Sequence, residues 1–441
     1  MKELQPSAAR STLPSIIAIS TLGGGLGGLL GSGVVIGFTE ILKGMLAIVS
    51  GQRTWVLVLV PLIGLALSVL VLYGFGLSGE TEKFERPLWG SWRTFAARAS
   101  RSDLTGDMVG FAGEEEHFPW RLAPIRMVAM IATVGLGGAM GTEAPAAYLG
   151  VATGAALGNR WRPLLRPAAV GGGAAGVAAL MGIPLLGTAY ILELGRRHHA
   201  PLNVERVNAA FVGGLVGWLL HIALRVDLLR LVVPNEPPHT FHQAMITVLL
   251  IGALAGTITA LSGAAIYRAK FFPVHPFLRL AVSGLVLGAA AVFLAMIAAP
   301  SAAVGPGSGA IRWVQSTPAS ALTIFAVDIL RAIATTSTAA AGGCGGLFVP
   351  FLAIGDLAGR VFSPSLRVPS DLAGAAGAAA GISGGYHLPF TAIAMVLGQG
   401  GPVLAMLTCV ATVVVAGFAG KAVASLVGHS YIEKRPHQLE S

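Results

Sequence analysis

The sequence predicts an all-α polytopic membrane protein built from two structurally related halves, with broken and partial-span helices. Three observations predict it: long apolar runs without a charge, glycine and proline inside those runs, and segments that recur at a fixed offset.

The apolar runs set the class. The chain has 441 residues, 54% hydrophobic and only 11% charged, where a soluble domain carries roughly 25% charged residues. No Asp, Glu, Lys or Arg occurs from Ser11 to Thr39, Thr54 to Gly79, Pro167 to Leu192, Pro237 to Tyr267, Leu280 to Ile311, Ala332 to Gly355, or Ala373 to Gly420. A spanning helix needs about 20 mostly apolar residues, so several runs hold more than one pass, and roughly ten passes, some partial, are expected. The first run reads as a span and not as a removed signal, because no small-residue cleavage site and soluble domain follow it. The 60 glycines sit among Ala and Leu, where small residues let transmembrane helices approach closely.

The charge pattern gives orientation. Net charge is +9, but the cations sit in short hydrophilic segments, such as Arg160, Arg162 and Arg166, then Arg196 and Arg197, then Lys434 and Arg435. They are not interleaved with aromatics, which argues against nucleic acid as a partner. Short Lys/Arg-rich loops lie on the cytoplasmic side. The expected organisation is a cytoplasmic N-terminus over 1–12, a first membrane half over 13–225 with a polar loop at about 80–120, a second half over 226–428, and a short cytoplasmic C-terminus over 429–441. Localisation is the cell (inner) membrane, multi-pass. Cys344 and Cys409 are the only cysteines and lack the spacing of a metal or disulfide pair. No Ser-His-Asp set, P-loop or HExxH motif is present, so neither an enzyme nor a cofactor or metal site is expected.

The repeat supplies the architecture. Gly141-Thr142-Glu143-Ala144-Pro145 through Gly150 and Gly346-Leu347-Phe348-Val349-Pro350 through Gly355 both read G-x-x-x-P-x-x-x-x-G, at an offset of 346 − 141 = 205. The same offset relates Gly154 to Gly359, Gly172 to Gly377, Gly176 to Gly381, Pro184 to Pro389 and Leu192 to Leu397. In each half the two prolines lie 39 apart, 184 − 145 and 389 − 350. Proline is favoured at the first helical position, so Pro145, Pro184, Pro350 and Pro389 each read as a helix start. Free N–H groups at a helix start carry about half a positive charge in sum and bind anions without a fixed cation. Glu143 stands two residues before Pro145 and is the only charge from Met127 to Asn159. An intramembrane carboxylate is costly and is a functional hypothesis by default. Beside a helix start it mimics a bound anion, filling the site when ionised and leaving it when protonated. Asp328 and Arg331, spaced i and i+3, are expected to pair.

These residues resemble the CLC family of chloride channels and chloride/proton antiporters. Its G-R-E-G-P pattern looks like Gly141-Thr142-Glu143-Ala144-Pro145, its G-x-F-x-P pattern is met by Gly346-Leu347-Phe348-Val349-Pro350, and its two further Pro-led helices look like Pro184 and Pro389 onward. The resemblance runs from about residue 100 to residue 431. It implies inverted halves, a homodimer with one pore per subunit surrounded by lipid, and dehydrated chloride or another small anion held between helix N-termini. Glu143 would be the gate, protons a second substrate, and the backbone N–H groups of Leu347 and Phe348 anion contacts.

The departures bear on mechanism. Thr142 and Ala144 replace the family's Arg and second Gly. The Ser-bearing G-S-G-I-P pattern is absent; Thr105-Gly106, ahead of Arg121-Leu122-Ala123-Pro124, is the best replacement, and Tyr431 stands for the family's pore Tyr. The internal proton glutamate of family antiporters falls at position 194, which is Leu; Glu193 is adjacent, but one helical residue turns a side chain by about 100°, so it is expected to face elsewhere, which favours a passive channel or weak proton coupling. The expected function is transmembrane transport of small anions, chloride first, by channel or antiport. The alternatives are a fluoride/proton antiporter of the same family and a non-transporting structural membrane subunit.

Overall fold

The computed structural model describes residues 12–74, 118, 120–197, 200–226, 232–272, 274 and 276–427. In the first half α1 is Leu13–Ser50, α2 Thr54–Gly74, α3 Ala123–Met130, α4 Glu143–Arg160, α5 Leu165–Met181, α6 Pro184–Arg197 and α7 Val204–Ala223. In the second, α8 is Phe241–Ile246, α9 Gly252–Phe271, α10 Pro276–Ile297, α11 Pro300–Ala303, α12 Ser308–Ser316, α13 Ala321–Ala340, α14 Phe348–Leu366, α15 Ser370–Ala380, α16 Pro389–Gln399 and α17 Val403–Val427. Among the described residues eight helices are long and apolar enough to cross a membrane. By contrast α6 and α16, with 14 and 11 residues, are too short to span the roughly 30 Å hydrocarbon layer.

Helix α1 shows why the glycines are there. Gly23, Gly24, Gly27, Gly28 and Gly31 are buried along it, while Leu22, Leu29 and Leu30 point outward. A Cβ on Gly24 would come within 2.9 Å of Ala209 Cα on α7, and one on Gly31 within 3.2 Å of Gly172 Cα on α5. Helices in lipid associate by this kind of close backbone packing, with no hydrophobic drive between them. Helix α5 is buried at every residue from Pro167 to Met181 and forms the centre of the first half.

The 205-residue register becomes a set of matched contacts. Gly150 of α4 abuts the Gly172 carbonyl, and Gly355 of α14 abuts that of Gly377; Gly176 meets the Ala146 carbonyl, and Gly381 that of Phe351. Each pair is its partner's image at +205. At the centre, Gly141 N–H donates to Gly346 O at 2.7 Å and Gly346 N–H returns to Gly141 O at 2.8 Å, an antiparallel bridge between equivalent residues. Reciprocal bonds of this kind place a local two-fold axis between the two halves.

Two expectations need correction. Pro145 and Pro350 do not open their helices: α4 begins at Glu143 and α14 at Phe348, two residues earlier in both copies. The N–H groups of a first turn have no helical partner, so proline fits there as well as at the first position. Pro184 and Pro389 do open α6 and α16. Second, Asp328 and Arg331 do not pair. Arg331 Nη1 donates to Ala302 O at 3.3 Å and Nη2 to Gly305 O at 2.7 Å, carbonyls left free where α11 ends.

Candidate anion site at the crossing of the two halves

Two segments of equivalent sequence meet at the Gly141–Gly346 bridge. Each leaves a helix through a left-handed glycine, Gly137 at φ +95° and Gly342 at φ +93°, a conformation glycine adopts without steric cost. Gly138 N–H donates to Thr133 O at 2.8 Å and Gly343 N–H to Thr338 O at 3.0 Å. Threonine side chains then cross the two-fold: Ala139 N–H donates to Thr338 Oγ1 at 3.2 Å, and Cys344 N–H to Thr133 Oγ1 at 3.0 Å. Thr133 and Thr338 escaped the sequence reading, although 338 − 133 = 205; extending the proline register eight residues before each bridging glycine finds both.

Past the bridge, each segment starts a helix aimed back at the crossing. Thr142 stands at the N-cap position of α4 without a side-chain cap bond, and Glu143 is the first residue of the helix, 1% exposed. Thr142 Oγ1 donates to Glu143 Oε1 at 3.4 Å, and the backbone N–H of Val349, in the first turn of α14, lies close enough to act on the carboxyl. Oε2 has no hydrogen-bond partner among the described residues. The first-half glutamate thus sits over the start of the second-half helix. The bridging glycines make room for it: a Cβ on Gly141 would collide with Glu143 Oε2 and lie 3.2 Å from Pro350 Cδ, and one on Gly346 would lie 2.9 Å from Ala144 N. Leu347 and Phe348 are buried beside it.

Phe348 opens an aromatic cluster that the sequence reading did not anticipate. Its ring meets Tyr190 edge-on, with centroids 6.1 Å apart; Tyr190 OH lies 3.4 Å from Tyr386 OH, and Tyr386 lies 5.8 Å from Phe351. Arg197 Nη1 donates to Tyr386 O at 2.9 Å. On the other side of α4, the Arg126 guanidinium lies 5.3 Å over the Tyr148 ring, a cation–π geometry.

A second carboxylate fills the other helix start. Glu193 Oε1 accepts from Phe390 N at 3.1 Å, and Oε2 from Thr391 N at 2.8 Å and Thr391 Oγ1 at 2.7 Å. The first turn of α16, opened by Pro389, is therefore capped by α6, the helix that Pro184 opens. Leu194 turns instead into the apolar core. The crossing brings together Gly141, Glu143, Pro145, Gly346, Leu347, Phe348 and Pro350, while Pro184 and Pro389 belong to the adjoining pair of short helices. Thr105, Gly106 and Tyr431 lie outside the described residues.

Residues 87–421 match the model of a family described as voltage gated chloride channel. The chain is similar to the H(+)/Cl(-) exchange transporter ClcA of Yersinia pestis bv. Antiqua (strain Angola), at 25% identity over 254 residues covering 56% of this chain and 52% of the relative. It is 26% identical over 261 residues to ClcA of Cronobacter sakazakii, covering 55% and 53% of the two chains. The chain spans about half the length of the curated relatives it matches. Among solved structures, a CLC-type fluoride/proton antiporter matches with TM-score 0.71 at 23% identity, over 94% of this chain and 98% of that one. A slow cyanobacterial Cl-/H+ antiporter matches with TM-score 0.71 at 18% identity, over 95% and 98%. The fold is thus that of two inverted, structurally related halves.

Proposed function

Because the chain belongs to the voltage gated chloride channel family, we propose that it moves small anions, chloride first, across the cell (inner) membrane, with Glu143 as a protonatable gate. One observation carries this reading: a buried glutamate, with one oxygen unpartnered among the described residues, set over the start of a helix from the opposite half. The free N–H groups of that first turn offer partial positive charge to an anion. Ionised, the carboxylate takes the place of the anion; protonated, it is neutral and yields that place. The backbone N–H groups of Leu347 and Phe348 are the proposed contacts on the α14 side. Thr105 with Gly106 and Tyr431 complete the ligand set. A full cation would hold an anion too firmly to release it, whereas several backbone dipoles balance dehydration and still permit exit.

Antiport with protons is the favoured mode, because relatives over half the chain are named H(+)/Cl(-) exchangers. Fluoride/proton antiport is the second reading. It is favoured by the similarity to a fluoride/proton antiporter at 23% identity and by the missing Ser-bearing motif. The working unit is a homodimer in lipid: Leu185, Phe390 and Leu397 expose apolar surface on helices α6 and α16, and a second copy would cover it.

The test is flux from proteoliposomes loaded with chloride or fluoride, with external pH recorded. Anion efflux that drives protons uphill is the expected result; efflux without proton movement makes the chain a channel, and no efflux of either anion leaves a structural subunit. Glu143→Gln is expected to weaken pH dependence and abolish proton coupling. A wild-type pH response in that variant would remove Glu143 from the gate.

A further inference from the structure

Away from the crossing, the second half buries a carboxyl group that the gate does not use. Asp328 of α13 is fully buried, and neither of its oxygens has a hydrogen-bond partner among the described residues. Burying an ionised carboxylate with no donor is costly, and membrane-depth carboxyls are functional by default. The obvious partner, Arg331, one turn along, holds the carbonyls of Ala302 and Gly305 instead.

The surroundings limit what this group can be. Helix α14 packs on α13 and brings Asp356, fully buried and within Coulombic reach of Asp328. Asp356 is itself satisfied: Arg360 Nε donates to its two oxygens at 3.1 and 3.3 Å, and Arg360 also bonds Ser370 and Asp371. From α10, apolar Ala291 and Leu294 enter the cluster that contains Val327; its Arg279 donates to Lys270 O at the far end of the helix. Helix α9 carries its titratable groups, Tyr267, Arg268 and Lys270, at its C-terminal end. Two turns beyond Asp328 on α13, Thr335 Oγ1 is also buried without a partner among the described residues.

Arg331 connects this region to the gate. Gly305, whose carbonyl it holds, donates its own N–H to Gly137 O at 2.9 Å. Gly137 is the left-handed residue that begins the turn leading to Gly141 and Glu143. A chain of hydrogen bonds thus runs from Arg331 through Gly305 to the crossing.

We propose that Asp328 is a second proton-binding site, coupled to the crossing through Arg331, Gly305 and Gly137. The proton is exchanged with water: the carboxyl gives its proton to a water molecule, leaving carboxylate and hydronium, and the reverse step restores the acid. With the proton bound, Asp328 is neutral and Arg331 keeps the two carbonyls that it holds in the structure. With the proton gone, a carboxylate stands at i−3 from the guanidinium, where helical side chains meet. A carboxylate attracts the guanidinium with a full negative charge where a carbonyl offers only a dipole, so Arg331 moves toward Asp328 and its hold on Gly305 loosens. The turn that positions Glu143 then loses a support.

This inference rests on the reading of the chain as an anion transporter gated at Glu143, and the experiment separates the two. Anion flux is measured against pH in proteoliposomes for wild type, Glu143→Gln, Asp328→Asn, Asp328→Glu and the Glu143→Gln/Asp328→Asn double variant. The expected result is a residual pH dependence in Glu143→Gln that is lost in the double variant, and a displaced midpoint in Asp328→Glu. A double variant that keeps the residual dependence overturns the proposal and leaves the gate intact, as does a Glu143→Gln variant with no residual dependence. A full wild-type response in Glu143→Gln sinks the gate, and Asp328→Asn alone must then narrow the profile for the proposal to survive. Should Asp328→Asn fail to fold, an unmoved midpoint in Asp328→Glu overturns the proposal. A wild type without anion flux ends both readings.

Discussion

Glu143 and Glu193 both come from the first half, and both sit at a helix start of the second, yet they are built for different work. Glu193 accepts three hydrogen bonds, two from backbone and one from Thr391 Oγ1. Glu143 leaves one oxygen unpartnered among the described residues. A carboxylate with both oxygens engaged is a lock, and one with an oxygen left over can move. Glu193→Ala strands two backbone donors, at about 1–3 kcal/mol for each buried unsatisfied group, and is expected to lower the thermal unfolding midpoint in detergent more than Glu143→Ala. An equal or smaller loss at Glu193 would refute the distinction. Glu143 was legible in the sequence because it is the only charge in its run. Arg331 was misread because i, i+3 spacing reports only neighbours on its own helix, and the competing carbonyls of Ala302 and Gly305 come from a distant segment.

The helices of the crossing show how far spacing reaches. All four prolines fall in first turns, which the 39-residue interval anticipated, but the interval cannot say which position of the turn each takes, since first-turn N–H groups are all unbonded within the helix. The crossing turns depend on donors exchanged between the halves. Thr133→Val and Thr338→Val each leave one buried N–H without its acceptor and are expected to destabilise by about 1–3 kcal/mol, equally for the two by symmetry. Urea or thermal unfolding of both single variants and the double checks this; losses that differ widely would mean the two turns are not equivalent. Gly141→Ala puts a methyl group against Glu143 Oε2. Its expected outcome is a displaced carboxylate and an altered pH response of flux, and a wild-type profile would show that the carboxylate does not rest there. The threonines were not legible on their own, because their role lies in a side-chain bond to the opposite half.

At the scale of the whole molecule, the membrane class, the two halves and their register follow from composition and offset, because lipid demands long charge-free helices and a repeat preserves its glycines where backbones touch. What does not follow is the fine structure of buried charge: Asp356 and Arg360 stand at i, i+4, a spacing that suits a pair, but Arg360 also reaches Asp371 on the next helix, a bond that helical spacing does not announce. If α6 and α16 face a second copy, replacing both Leu185 and Leu397 by Trp is expected to shift the particle from dimer to monomer in detergent, as read by light scattering. An unchanged mass would place the dimer contact elsewhere.

The bonds at the crossing are closed under exchange of the halves. Gly141 gives to Gly346 what Gly346 gives to Gly141, and Ala139 with Thr338 repeats Cys344 with Thr133. None of these bonds requires the two halves to differ or to be covalently joined. A polypeptide of half this length could make the same set by meeting an identical copy across a two-fold axis, so the present chain has the geometry of a two-fold dimer joined into one strand. Only after such a fusion could one half acquire Glu143 and Glu193 while the other kept Phe348 and Gly398 at the matching positions, turning a symmetric junction into one with an acid on one side and its receptor on the other.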